Sequence, residues 1–489
     1  MSAFESRLDL YSYLAASKDA ILAEAEQIGK GLGIPSELKG RFGPSGANSS
    51  LPGAVRGDIR REIEKGLREV APLRQLGDEL RRTVKSVYGD DYDAAPTNSC
   101  EAALGVAFDA LLTPPVMGRG EPYRARSVGL IERHCEHHLS YGWPFPPMHK
   151  DMFADRGATT GELGLLGRRS FNTDIVMVPM AGASYPLHGI KFLPCALLME
   201  TDAAATAAAL RKAAATHASE LSGFLSLGYE TIGYGYGEKS PDGSPLLLRY
   251  IGELAAEHGV PYVCDNAWGI PFIGTDPRQI GADVMLYSMD KVTGAPTSGL
   301  IIGREGPMVN VRRALGIQSE RFGATSAHGK ASHVAADPGK MTMLGVLAAL
   351  RALRDRPQLV TGPIETTYAV VLDEFARAKD SLGDGIVVTR SYNLGGVEIN
   401  YERTWSGGRI GIPIFSNEDR VAGSHLLSLC MAKMGVLPGQ SEDANVIINP
   451  GLGTVDDDGV IIEERLRFTL RALFSSMALL RAWTDRGPQ

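Results

Sequence analysis

Three apolar runs lie close together in the middle of the chain, and the first two each stop at a polar cluster. Residues 261–264 run into Asp265-Asn266-Ala267, residues 284–287 run into Ser288-Met289-Asp290-Lys291, and residues 299–303 follow. Short continuous apolar runs bounded by turn residues predict strands buried on both faces. Strands that end together deliver their polar residues to one edge of a sheet. Around this centre the pattern alternates between helix and strand. Residues 1 to about 36 predict helix, with Leu8, Tyr11, Leu14 and Ile21 at roughly helical spacing, and residues 58 to about 88 predict helix again. Between them, residues 40–57 are rich in Gly, Ser and Pro and predict a loop carrying Arg41 and Arg56. Residues 96–101 (PTNSCE) open an apolar helix, residues 127–132 predict a strand, and residues 139 to about 169 are irregular and rich in aromatics and proline. Further apolar runs fall at 174–180, 195–200 and 229–232, with an alanine-rich helix at 203 to about 217 between the last two. Residues 313–333 read as a polar loop and residues 340–354 as an amphipathic helix bridging to a last region. That region carries helix 362–381, strands near 386–390 and 396–401, and helix 418–435.

Composition narrows the class. A chain of 489 residues is too long for one small core and predicts two or more domains. Hydrophobic residues at 44% and charged residues at 22% are ordinary for a globular protein. Fifty Lys and Arg against 57 Asp and Glu give a net charge of −7, which argues against broad nucleic-acid binding. The five cysteines (Cys100, Cys135, Cys195, Cys264, Cys430) are scattered, with no C-x-x-C pair, so neither a disulfide framework nor a zinc knuckle is indicated. No apolar run reaches membrane-spanning length, no signal-type segment follows Met1, and the expected location is cytoplasmic.

An acid and a lysine at two neighbouring strand ends suit pyridoxal phosphate, which needs a lysine for its Schiff base and a carboxylate at its pyridine nitrogen. The Asp-x-Ala and Ser-x-x-Lys pair, Asp265 to Ala267 and Ser288 to Lys291, resembles the core signature of fold-type-I pyridoxal-phosphate enzymes. The run S-x-D-K-x-x-G-x-P-x-x-G is most similar to bacterial selenocysteine synthase, with cysteine desulfurases as cousins. The resemblance covers about residues 90 to 480. It implies an α/β fold: a large domain with a seven-stranded, mostly parallel sheet, and a smaller α+β C-terminal domain. The expected division is an N-terminal helical arm and substrate loop at 1–89, the cofactor domain at 90–339, and linker helix plus small domain at 340–489.

The resemblance also implies roles. Lys291 would carry the cofactor and Asp265 its pyridine nitrogen, with Ala267 and Ser288 beside them. Small polar residues before a helix cap it and form a ready phosphate site, and Ser99 and Cys100 stand where the family has its phosphate cup. In RHCEHH, His137 matches the residue that stacks on the cofactor ring; the competing reading is a metal tract of His134, His137 and His138, for which no further ligands can be placed. The run GYGYGE departs from the Asn-Asn-Glu of cysteine desulfurases, leaving Tyr236 as the substitute partner of the phenolate oxygen. Residues 465–470 (RLRFTL) resemble the small-domain strand whose arginine grips the substrate carboxylate; Arg467 is the match, with Arg465, Arg471 and Arg409 competing. Arg41 on the N-terminal loop is a second candidate for an anionic substrate group. Relatives are homodimers with shared sites, so Thr297 and Ser298 are candidates for the partner's phosphate.

The function implied acts on a small amino-acid substrate through an α-carbanion, with no metal, nucleic acid or membrane partner. Elimination or replacement at the β- or γ-carbon is the first expectation, with specialised-metabolite biosynthesis as its setting. Transamination is one alternative, and carbon–carbon bond formation or oxygen-dependent tailoring another. A desulfurase is disfavoured because Cys430 lies on an apolar helix instead of a mobile loop. A non-catalytic binding module is disfavoured by the intact Asp265–Lys291 pair.

Overall fold

The computed structural model describes residues 4, 7–44, 51, 53–112, 126–131, 190–195, 203–216, 218, 221–228, 238–315, 333–401, 403–404, 411–414, 423–439, 441–442 and 445–487. Its larger sheet has strands β1 (Tyr92–Thr97), β2 (Arg126–Ile131), β3 (Ile190–Cys195), β4 (Leu221–Leu227), β5 (Tyr262–Asp265), β6 (Val284–Ser288) and β7 (Gly299–Arg304) in the order β1-β7-β6-β5-β4-β2-β3. The pairs β2–β3, β2–β4, β4–β5 and β5–β6 are parallel, whereas β7 runs antiparallel to both β6 and β1. The architecture is therefore the α/β one expected, with a mostly parallel sheet.

Both faces of this sheet are covered, which is why its central strands read as unbroken apolar runs. Successive side chains point to opposite faces. Tyr262, Cys264, Met285, Tyr287, Leu300 and Ile302 face one core. Val263, Val284, Leu286 and Ile301 face the other. The first core is closed by α3 (Gly57–Leu67), α4 (Leu73–Tyr88), α7 (Leu246–His258) and α10 (Lys340–Asp355). In α4 the apolar positions Leu76, Leu80 and Val84 repeat every fourth residue, so one stripe is buried. Fully buried Tyr262 and Tyr287 each contribute about 1.5–3 kcal/mol by burial. The second core is closed by α5 (Cys100–Ala107) and α9 (Glu305–Leu315). Helix α6 (Ala203–Thr216) contributes Ala203, Leu210 and Ala214 to the first, and the short α8 (Pro277–Ile280) contributes Ile280.

A second, antiparallel sheet has the order β10-β11-β9-β8, from β8 (Val387–Ser391), β9 (Gly396–Asn400), β10 (Ser441–Glu442) and β11 (Asn445–Ile448). It packs in a third core with α11 (Gln358–Leu382), α12 (Gly423–Lys433) and α13 (Glu463–Arg486). The first two helices, α1 (Arg7–Ala16) and α2 (Lys18–Gly31), join this same core through Leu10, Leu14, Ile21 and Ala25. The N-terminal segment thus contributes to both lobes: α1 and α2 to the smaller, α3 and α4 to the larger.

Several local expectations change. The helix expected over 58–88 is two helices, interrupted at 68–72, where Pro72 removes a backbone donor ahead of α4. Of the apolar run at 195–200, Cys195 closes β3 and the rest lies outside the described residues, and β4 precedes the run at 229–232. Residues 465–470 are not a strand but the first turns of α13, because Leu466, Leu470, Leu473, Met477 and Leu480 form one continuous buried helical stripe. The runs at 174–180 and 229–232 and the segment 139–169 lie outside the described residues.

Candidate functional site

Strand direction gathers the site. β1, β5 and β6 run the same way, so Thr97, Asp265 and Ser288 stand at one sheet edge, and antiparallel β7 begins there with Gly299. Gly299 pairs with both Thr97 and Ser288. No side chain fits at that position, since a Cβ would lie 2.4 Å from the Ser99 carbonyl oxygen and 2.4 Å from Thr97 Oγ1. The Thr97 hydroxyl donates to the same Ser99 carbonyl at 2.7 Å, which closes the turn before α5.

Ser99 is the N-cap of α5: it is extended (φ −158°, ψ 163°) and its Oγ accepts from the Ala102 amide at 3.1 Å. First-turn amides of a helix lack intrahelical partners and favour an anion. Cys100 follows, buried, and its thiol is pushed well above its ordinary range by burial and by the Asp265 carboxylate, with Lys291 acting in the opposite sense. The helix start, the acid and the lysine therefore share one electrostatic environment.

Asp265 ends β5 at 4% exposure, and its Oδ1 accepts from the Ala267 amide at 3.1 Å. Burial raises its carboxyl to about 6 against the opposing pull of Lys291 and the Ala267 amide. The backbone fixes it from both sides: the Asp265 carbonyl accepts from Gly228 at 2.6 Å, the Asn266 amide donates to Leu286, and the Ser288 amide donates to Ala267. At the end of β6 the Ser288 hydroxyl donates to Asp290 Oδ1 at 2.6 Å. Lys291 Nζ sits 4.1 Å from the centroid of the buried Trp268 ring, a cation–π contact, and has no carboxylate partner among the described residues. The lysine's turn is held by the Met289 amide on the Ser298 carbonyl at 2.9 Å and the Ser298 hydroxyl on the Pro296 carbonyl at 2.6 Å. Thr297 in this turn is half-buried.

The N-terminal loop is fastened to the same turn. Arg56 donates from its amide to the Gly294 carbonyl at 3.0 Å and from Nη1 to the Thr293 carbonyl at 2.9 Å, while Nε pairs with Asp58 at 2.6 Å. Gly294 has φ +77°, and a Cβ there would strike the Arg56 side chain at 2.7 Å. Beside it opens a cavity of about 300 Å³ lined by residues 53–56, by Asp290, Lys291 and Gly294, and by residues of the smaller lobe that include Asp456, Asp457 and Arg465.

The expected residues separate accordingly. Ser99, Cys100, Asp265, Ala267, Ser288 and Lys291 are brought to one sheet edge. Arg41 is exposed and is not part of the cavity lining. Arg467 pairs with Asp373, with Glu374 at 2.8 Å and with Glu463 at 2.6 Å on the α11–α13 seam. It is Arg465, two residues earlier on α13, that lines the cavity, donating to the Gly453 carbonyl at 3.0 Å. His137 and Tyr236 lie outside the described residues, as do His134, His138 and Arg409. Trp268 and Asp290 were missed as site residues, although the same sequence run contains them. Cys430 is buried in α12 with its thiol pushed up to about 12 by burial, the state of an inert thiol.

The donor set suits pyridoxal phosphate. It offers a helix start for a phosphate, a buried carboxylate short of donors for a ring N–H, and an unpaired lysine beside both.

No family model and no curated protein matches the sequence. Solved structures do. A SepCysS–SepCysE N-terminal domain complex matches at 10% identity over 92% of this chain and 96% of that one, with a TM-score of 0.50. A multiple substrate aminotransferase from Thermococcus profundus matches at 11% over 94% of each chain, with a TM-score of 0.50. A PLP-bound protein from Clostridium difficile 630 matches at 8% over 89% of this chain and 92% of that one, with a TM-score of 0.51. The fold is that of the fold-type-I pyridoxal-phosphate enzymes.

Proposed function

We propose that this chain is a pyridoxal-phosphate enzyme acting on an amino acid, with elimination or replacement beside the α-carbon as its reaction. The observation that carries the reading is the juxtaposition of buried Asp265 with the unpaired Lys291 at adjoining strand ends. Ser99, Cys100 and the first turn of α5 would hold the phosphate, and Asp265 the ring nitrogen. When bound, the cofactor supplies an aldehyde for the substrate amine and a ring that accepts electrons from the α-carbon. Asp265 keeps the proton on that ring nitrogen, which an anion with little water around it does well. Lys291 takes the α-proton once its amine is free. Trp268 packs its ring against the lysine from one side and limits the directions its amine can take. Arg465 replaces Arg467 as the candidate for the substrate carboxylate, since its planar fork faces the cavity with no carboxylate partner among the described residues.

The reaction type is favoured by the S-x-D-K-x-x-G-x-P run. Buried Cys430 speaks against a desulfurase. A soluble homodimer with sites shared between subunits belongs to the same reading. Among the described residues no helix is long and apolar enough to cross a membrane.

Purified protein is expected to be yellow, and borohydride should fix the cofactor on the peptide containing Lys291; fixation on any other lysine overturns the assignment. A single turnover with the best amino-acid ligand then tests the reaction. Release of a β- or γ-substituent agrees with elimination. Stoichiometric pyridoxamine phosphate, with a keto acid retaining that substituent, makes the enzyme an aminotransferase.

A further inference from the structure

The cavity beside Lys291 is unevenly satisfied. Asp290 is 7% exposed and lines it. Its Oδ1 accepts the Ser288 hydroxyl at 2.6 Å, whereas Oδ2 is buried with no hydrogen-bond partner among the described residues. A buried carboxylate oxygen without a donor is costly, and such sites are completed by something that binds. The other charges of the cavity differ in how far they are already used. Arg56 is spent on Asp58 and on the Thr293 carbonyl. Asp456, exposed at the mouth, accepts the amides of Asp458 and Val460 at 2.9 Å each, and Asp457 pairs with Arg60 at 2.9 Å. Two groups remain for a ligand besides Lys291: the guanidinium of Arg465 and Oδ2 of Asp290. They differ in sign, so the cavity offers a place for a carboxylate and a place for a cation.

We propose that this cavity is a subsite for a cationic side chain, with Asp290 as its buried counter-ion, so that the substrate is an amino acid bearing a distal cation beyond its β- or γ-leaving group, and the basic amino acids are its unreactive analogues. The inference rests on the function proposed above and names its substrate class. Arg465 takes the α-carboxylate, the α-amine goes to the cofactor position at Lys291, and the distal ammonium or guanidinium meets Oδ2 of Asp290. The Ser288 hydroxyl holds the carboxylate in one rotamer, so little ordering remains to be done when the cation arrives. A volume of about 300 Å³ suits one free amino acid.

The test uses cofactor-loaded protein and reads equilibrium binding from the visible band of the cofactor and from the thermal shift. The probes are L-lysine, L-ornithine and L-arginine, against L-norleucine, which matches lysine in length without the ammonium. Wild type should bind the best basic probe at least tenfold more tightly than norleucine, the scale of one charge-assisted hydrogen bond. Asp290→Asn should lose that preference while keeping its norleucine affinity and its cofactor fixed at Lys291. Equal binding of basic and neutral probes by wild type overturns the subsite, Oδ2 then being served by water. A loss in Asp290→Asn that is the same for every probe also overturns it and makes Asp290 a support of Lys291. Should the variant fail to fold, the wild-type ratio of lysine to norleucine decides alone. Failure of wild type to fix cofactor at Lys291 is a separate result, which removes the proposed function and this inference with it.

Discussion

Asp265 keeps a carboxyl almost out of water with the Ala267 amide as its hydrogen-bond donor, and burial lifts it from 3.8 to about 6. Between those two values the native chain holds a proton that the unfolded chain has released. Stability therefore falls as pH rises from about 4 to about 6, and a deficit of roughly 2–3 kcal/mol persists above that range. A protonated ring nitrogen set against the carboxylate would offset the deficit, and the energy would appear as cofactor affinity. Replacing Asp265 by Asn should remove the pH-dependent part in the cofactor-free protein while collapsing turnover in the loaded one. Urea denaturation of both cofactor-free proteins from pH 4 to 8 measures it: the variant should gain roughly 2–3 kcal/mol on wild type across the interval. A difference that stays flat with pH would mean that Asp265 is not the strained acid of this site.

At the scale of elements, the sequence was most legible where both faces of a strand are covered. β5, β6 and β7 read directly as apolar runs because helices pack on each side, and their polar ends followed from strand direction. Arg467 was misread because R-L-R-F-T-L alternates over a short window as a strand does, while the longer window carries the Leu466, Leu470, Leu473 stripe of a helix. The link between Arg56 and Thr293 spans 237 positions, so no local pattern could contain it. Close packing at the sheet edge was equally hidden, since Gly299 announces flexibility in sequence but serves close approach in the fold. Gly299→Ala should cost about 1–3 kcal/mol, because the added methyl meets the Ser99 carbonyl and the Thr97 hydroxyl and must displace the start of α5. Cofactor affinity should fall with it by about tenfold. Gly31→Ala at an exposed position of α2, where a methyl meets nothing within 4 Å, should instead stabilise by about 0.4–1 kcal/mol. Denaturation midpoints and cofactor titrations of the two variants decide; an unweakened cofactor in Gly299→Ala would separate β7 from the phosphate cup.

The whole molecule joins its lobes at the site. Residues 53–56 of the N-terminal segment, the Lys291 turn of the large sheet and residues 450–465 of the smaller lobe line one cavity, so neither lobe forms it alone. Whether a second subunit completes it turns on Thr297. Its hydroxyl makes no hydrogen bond among the described residues, and the turn that carries it leads into Gly299, packed against the Ser99 of its own chain. Two arrangements follow: Thr297 serves the phosphate of its own chain, or it reaches the phosphate of a partner across a two-fold axis. Thr297→Asp sets a negative charge near the phosphate in either case and should cut the cofactor fixed by borohydride at least tenfold. Refolding it with an equal amount of Lys291→Ala separates the two. If sites are shared, each hybrid dimer joins the intact Lys291 of one chain to the intact Thr297 of the other. Fixed cofactor should then return to about a quarter of the wild-type level, since half the dimers are hybrids with one sound site of two. If Thr297 serves its own chain, every site in the mixture carries one defect and nothing returns. Recovery near a quarter supports a homodimer with shared sites, and no recovery with a dimer in sedimentation assigns Thr297 to its own subunit.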